Sequence, residues 1–161
     1  MAVTPDIILK EIKSKKYKPV YFLYGDEPYY IDAIATLLEA QVVPAAEKDF
    51  NQFIIYGKDV DVATVLSHAT RYPFMAERQL IVVKDANKLN GIEQKDMQAR
   101  LEAYAAQPLA STVLVICFPA ATDERKTYIK AFGVHGAIVQ SKKMYDNKLP
   151  EWVAGYCQSE G

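Results

Sequence analysis

Val20-Tyr-Phe-Leu-Tyr-Gly25-Asp-Glu-Pro-Tyr-Tyr-Ile-Asp32 sets the architecture of this chain. Val20 to Tyr24 is continuously apolar and stops at Gly25, the mark of a strand buried on both faces. After Pro28, the side chains Ile31, Ile34, Ala35, Leu38 and Val42 recur at helical spacing until Pro44 interrupts them. The segment therefore predicts a strand, a short loop and a helix, the opening of a parallel βαβ arrangement.

Upstream, Thr4-Pro5-Asp6 offers a capping hydroxyl and a proline suited to a first helical turn, predicting a helix to about Lys16. Downstream the alternation continues. Asn51-Gln-Phe-Ile-Ile-Tyr56 reads as a second strand, and Val62, Val65, Leu66 and Ala69 mark one face of a helix. Leu80-Ile-Val-Val83 is a third strand, and Met97, Leu101, Tyr104 and Ala105 stripe another helix. Thr112-Val-Leu-Val-Ile-Cys117 is the most apolar strand, followed by a short helix with Tyr128, Ile129 and Phe132 and a last strand at Ala137-Ile-Val139. Five short apolar strands separated by helices predict a mainly parallel five-stranded sheet with helices on both faces, joined by right-handed crossovers. The strand order is not contained in this pattern.

With 161 residues, half of them apolar, the chain has the size of one domain with a sizeable core. Its net charge of -1 provides no broad cationic surface for a nucleic-acid backbone, so any DNA contact is expected to be indirect, through a partner. The sequence shows no membrane-length apolar run and no secretory signal, and a cytoplasmic setting is expected. Cys117 and Cys157 read as reduced core thiols. Asn147 begins a stretch in which Leu149, Trp152, Val153, Tyr156 and Cys157 form an apolar helical stripe. That stripe is expected to be a domain junction in a truncated piece of a longer protein. The expected division is 1–143 for the α/β domain and 144–161 for the start of a following helical, lid-type domain.

In a parallel sheet of this kind the loop after the first strand is the usual phosphate cradle. A Walker A loop counted from Gly25 needs glycine at position 30, lysine at 31 and serine or threonine at 32, for backbone amides, an ammonium and a hydroxyl to hold phosphate and magnesium. The chain offers Tyr30, Ile31 and Asp32, with Asp26 and Glu27 adding negative charge. The dinucleotide pattern fails at the same places. The layout is that of a nucleotide-binding domain with a degenerate site, and no cofactor or metal is expected. Asp26, Glu27, Asp85, Thr122 and Lys142 also suggest a receiver-like phospho-acceptor domain using Asp85. The competing account, which we favour, has Asp26 and Glu27 complementing the next helix and Asp85 ending a strand. His68, on a helix, and His135, in a turn-like Gly133-Val-His-Gly136, lack the spacing of a metal or nucleophile site. Lys13, Lys15, Lys16 and Lys18 offset the first helix dipole.

Tyr72-Pro73-Phe74-Met75-Ala76-Glu77 lies in a connection that Pro73 forces out of helix. Phe74 and Met75 either fold back onto the core, which chemistry alone prefers, or present a bulky and an adaptable anchor to a pocket on another protein.

Pro19-Val-Tyr-Phe-Leu-Tyr-Gly-Asp-Glu-Pro28, then Tyr72 to Arg78 leading into Gln79-Leu-Ile-Val-Val-Lys-Asp85, Leu101 to Pro108 before Ser111-Thr-Val-Leu-Val-Ile116, and Asp123-Glu-Arg-Lys126 together resemble the delta-subunit family of the bacterial DNA polymerase III clamp loader. The resemblance covers nearly the whole chain. It implies an AAA-plus-like domain of the P-loop NTPase type that has lost ATP binding, which agrees with the failed Walker loop. It also implies that Phe74 and Met75, supported by Pro73 and Tyr72, enter a hydrophobic pocket of the sliding clamp, the beta subunit. Methionine in the second position departs from the aromatic often found there. The implied role is binding and helping to open the clamp for loading onto primed DNA, alongside other clamp-loader subunits. No bond-making step is implied for this domain, although the holoenzyme is a DNA-directed DNA polymerase.

Overall fold

Each apolar run becomes a strand of one sheet in the computed structural model, which describes residues 3–142. The strands are β1 (Val20–Tyr24), β2 (Gln52–Tyr56), β3 (Gln79–Lys84), β4 (Thr112–Phe118) and β5 (Ala137–Gln140). The helices are α1 (Pro5–Lys13), α2 (Pro28–Gln41), α3 (Lys48–Asn51), α4 (Val62–Ala69), α5 (Lys95–Ala106) and α6 (Thr127–His135). The strand order is β2-β3-β4-β1-β5, and every pairing is parallel. Phe22 of β1 lies between Ile116 of β4 and Ile138 of β5, so the strand quoted first is interior to the sheet.

Alternate residues of the strands feed two cores. On one face Phe22, Ile81, Leu114 and Ile116 pack against α4, α5 and α6. There Phe22 meets Tyr128 and Phe132 edge-on at ring separations of 6.0 and 5.8 Å. On the other face Tyr21, Leu23, Val82 and Val115 pack against Ile8 and Ile12 of α1 and Ile31, Ile34 and Leu38 of α2. Sheet interior strands buried on both faces explain their unbroken apolar sequences. Edge strand β2 is the exception, because Phe53 and Ile55 pack inward while Ile54 and Tyr56 are exposed.

Several local expectations change. Helix α1 ends at Lys13, short of Lys16, because Lys15 adopts φ 63 and closes a Schellman motif. In it the Lys16 N–H donates to Glu11 O and the Lys15 N–H to Ile12 O, at 2.9 and 2.8 Å. Thr4 makes no side-chain cap, and Val3 instead donates its backbone N–H to Ile138 O, laying the chain along the edge of β5. Asn51 ends a short helix and does not begin β2. His135 is the last residue of α6, with the turn following it. The expected helix from Asn147, the division at 143/144 and Cys157 fall outside the described residues. Cys117 is free and buried, and burial pushes its thiol up to about 12, where it stays protonated.

Tyr21 is fully buried, with its hydroxyl accepting from the Lys18 N–H, and burial pushes its pKa up to about 12. Below pH 10 the tyrosine is neutral in both folded and unfolded chains and adds no pH dependence. Between pH 10 and 12 only the unfolded chain ionises, so stability falls as pH rises. Tyr128, raised in the same direction by burial, adds to the effect. Chemical denaturation at pH 8, 10 and 11.5 should show a first loss of about 1 kcal/mol by pH 10, where the unfolded Cys117 thiol ionises and the buried one does not, and a further loss of order 2 kcal/mol or more by pH 11.5 as the unfolded tyrosines follow.

Candidate functional site

Two ends of the sheet compete for a function. At the carboxyl end, Gly25 follows β1 with φ 134. Its N–H donates to Phe118 O and Ala120 O at 3.2 and 3.1 Å, and the end of β5 closes in from the other side. Ser141 donates its N–H to Tyr24 O at 2.7 Å and receives the Tyr30 N–H on Oγ at 3.2 Å. A Cβ on Gly25 would lie 2.1 Å from Ser141 O. The Tyr29 N–H donates to Glu27 Oε1 at 3.3 Å, so a resident carboxylate caps α2 where a P-loop would hold phosphate. Three amides of this loop, those of Gly25, Tyr29 and Tyr30, already have partners within the chain. Restoring the three missing Walker residues would still leave Glu27 on the helix N-terminus and Ser141 in the loop. Calorimetry of the chain with magnesium and ATP should show no saturable binding below about 1 mM.

The receiver-like arrangement is overturned by the strand order. A phospho-acceptor site needs the acids after β1 and β3 side by side, as in the 2-1-3-4-5 order where those strands are adjacent. Here β4 stands between them, separating the two loops by two strand spacings, about 10 Å. Among the described residues no group of three metal-ligating side chains converges. Asp85 adopts φ 54 and starts a 3-10 turn in which its carbonyl accepts the Lys88 N–H at 2.9 Å. Glu27 caps a helix and Asp85 ends a strand, as the competing account expected.

The amino end of the sheet carries the connection from α4 to β3, residues 70–78, and here the exposed apolar side chains gather. Phe74 is 61 % exposed, Met75 86 % and Tyr72 77 %, while Pro73 is half-buried. Phe74 and Met75 do not fold back onto the core. Met75 sits at φ 52, a left-handed conformation uncommon for a side chain of this size.

Two buried amides hold this loop. Asn51, 1 % exposed, donates from Nδ2 to Phe74 O at 2.8 Å and accepts the Phe74 N–H on Oδ1 at 2.7 Å. Gln79, at the start of β3, donates from Nε2 to His68 O, Arg71 O and Thr112 Oγ1 at 3.2, 2.5 and 2.9 Å. The Thr112 hydroxyl in turn donates to Ala69 O at 3.3 Å. The carbonyls left open at the end of α4 are thus satisfied by side chains of β3 and β4. The loop leaves the helix from a fixed point and is gripped again at Phe74.

Around this loop, Phe50 of α3 is 62 % exposed and its ring lies 5.7 Å from that of Phe74. Arg78, one residue before β3, lies over the Tyr17 ring at 5.3 Å. His68 is structural: burial and the neighbouring Arg71 lower its pKa, and its Nδ1 lies 2.7 Å from Arg71 Nη2. Among the described residues no helix is long and apolar enough to cross a membrane.

The β2-β3-β4-β1-β5 parallel sheet, with helices on both faces and a closed phosphate loop, defines an AAA-plus-like α/β domain whose nucleotide site is degenerate. A Thermotoga maritima DNA polymerase III gamma subunit-related protein shares the fold, with a TM-score of 0.53 at 14 % identity over 87 % of this chain and 46 % of its own. The family model for DNA polymerase III, delta subunit, matches residues 21–142, and the chain belongs to that family. It is 28 % identical over 158 residues to the DNA polymerase III subunit delta of Bacillus subtilis, covering 95 % of this chain and 46 % of that protein. The solved Bacillus subtilis DNA clamp loader delta protein superimposes with a TM-score of 0.82 at 28 % identity, over 97 % of this chain and 48 % of its own. The chain spans about half the length of these relatives.

Proposed function

We propose that this chain binds the sliding clamp through the 70–78 loop and, within the clamp loader, helps to open the ring for loading onto primed DNA. The observation that carries the proposal is the pairing of exposure with fixation: Phe74 and Met75 project into solvent while Asn51 and Gln79 hold the backbone beneath them. An exposed apolar anchor on a prepared backbone loses little conformational freedom when it enters a pocket, so most of its burial contributes to affinity. Phe74 and Met75 are the anchors, with Pro73 and Tyr72 as supports.

The domain contributes binding and no hydrolysis of ATP. Glu27 on the α2 N-terminus and Ser141 against Gly25 argue for that division of labour, since they occupy the groups that phosphate would require. Nucleotide-driven motion then comes from other clamp-loader subunits, and DNA is reached through the assembled complex. Residues 1–143 form the clamp-engaging domain and 144–161 lead into a helical domain. The bacterial cytoplasm is the setting for this role.

The test is calorimetric titration of the cognate clamp with the chain, which should show saturable binding with a Kd of about 50 µM or tighter, the weakest that a small two-anchor contact should give. No saturable binding up to about 500 µM chain contradicts the proposal.

A further inference from the structure

We infer that the tip of α3 belongs to the same clamp-engaging surface, with Asn51 as the positioning residue for Phe74 and Phe50 as a third apolar contact residue. The inference rests on the clamp-binding reading of the 70–78 loop and extends it to residues 23 and 24 positions earlier in the chain.

Asn51 is a polar side chain at 1 % exposure in a four-residue helix with no buried neighbour within that helix. Its amide is used as a matched pair, one donor and one acceptor, on the single peptide residue Phe74. Its third bond, from Nδ2 to Glu47 O at 3.5 Å, is the longest of the set and stays within the local turn. A side chain that needed only to satisfy itself could do so with its own helix. Gripping both backbone groups of Phe74 fixes the direction in which that ring leaves the loop. The left-handed Met75 follows immediately, so its direction is set from the same clamp.

Phe50 gives the second line of argument. An exposed phenylalanine next to a buried asparagine has no role in either core, and Phe50 is absent from both. Its ring instead meets Phe74 at 5.7 Å with planes inclined by 48°, a contact of the tilted aromatic kind. The exposed apolar surface therefore continues from Met75 through Phe74 to Phe50. A pocket that accepts Phe74 must either border Phe50 or strip it from its neighbour. The occupant for this extension is the clamp itself, because the surface is continuous with the anchor.

The test is a calorimetric series with the cognate clamp, using Phe50→Ala, Asn51→Ala, Phe74→Ala with Met75→Ala, and Gly25→Ala. The last destabilises the fold at the far end of the sheet and serves as the comparator for a purely structural effect. Phe50→Ala should weaken clamp binding by about tenfold with an unchanged thermal midpoint. Asn51→Ala should weaken it by at least about tenfold, and hydrogen exchange at the Phe74 amide should lose protection while the amides of β1 and β4 keep theirs. A merely structural Asn51 would instead behave as Gly25→Ala does, with a lowered midpoint and clamp affinity within about twofold of the parent. That result, or parent-like binding by Phe50→Ala, overturns the inference while leaving the loop assignment intact. Parent-like binding by the Phe74/Met75 double variant removes the loop assignment itself.

Discussion

Replacing Phe74 and Met75 together with alanine is expected to reduce clamp affinity by about a thousandfold while the domain stays as stable as the parent. The size follows from burial. A fully buried phenylalanine or methionine side chain contributes roughly 1.5–3 kcal/mol, and two neighbouring anchors share one pocket, so about 4 kcal/mol is expected for the pair after allowing for non-additivity. The lack of a stability effect follows from exposure, since Phe74 and Met75 are 61 % and 86 % exposed and contribute to neither core. The loop backbone is also spared, because both Asn51 contacts are with main-chain atoms of Phe74 that alanine retains. Calorimetry gives the affinity and a thermal melt gives the stability. A loss of affinity matched by a drop of more than about 5 °C in the melt would point to misfolding and against a direct contact.

The second large effect is expected at the opposite end of the sheet. Gly25→Ala should destabilise the domain by about 3 kcal/mol or more and lower its thermal midpoint by roughly 10 °C. At φ 134 a Cβ is strained in any surroundings, and here it would lie 2.1 Å from Ser141 O, a backbone atom held in turn by the Ser141 N–H bond to Tyr24 O. Neither partner can swing aside as a flexible side chain would. The glycine that begins a phosphate loop in an active relative of this fold is thus required here for packing of β1 against the end of β5. Below its melting temperature the variant should bind clamp within about twofold of the parent, since residues 70–78 lie at the amino end of the sheet. A melt within 2 °C of the parent would show that the loop relaxes around the added methyl.

The residues differ in how openly they declared these roles. β1, β3 and β4 were legible because strands buried on both faces need unbroken apolar runs, and the helices because one face of each repeats at helical spacing. The end of α1 was not legible, because Lys15 in a left-handed cap carries none of the usual glycine or asparagine signal. Strand order was hidden for a different reason: β1 pairs with β4, whose residues are more than 90 positions away, and nothing local encodes such a choice. That missing order also kept the receiver-like alternative alive, since Asp26 and Asp85 are adjacent or apart according to which strand lies between them.

At the loop, Pro73 declared the break in the helix and the resemblance singled out Phe74 and Met75. Their exposure could not be read from spacing, because a connection has no periodicity to assign a face. Asn51 was hidden most completely. It directly precedes an apolar strand and reads as part of it, and its partner Phe74 lies 23 residues on. The one available signal was Asp49-Phe50-Asn51 itself, a large apolar residue flanked by polar ones just before an edge strand. Gln79 could be suspected only once Thr112 was known to sit beside it, a pairing set by the β3 to β4 register.

The most direct measurement is site-specific photocrosslinking to the cognate clamp, with a benzophenone side chain placed in turn at Phe74, at Met75 and at Ala121, which is exposed in the loop after β4 at the carboxyl end of the sheet. The account predicts clamp adducts from positions 74 and 75, competed away by unlabelled chain, and none from position 121. Adducts from position 121 with none from 74 or 75 would contradict it and move the interface to the end of the sheet where the phosphate loop has closed.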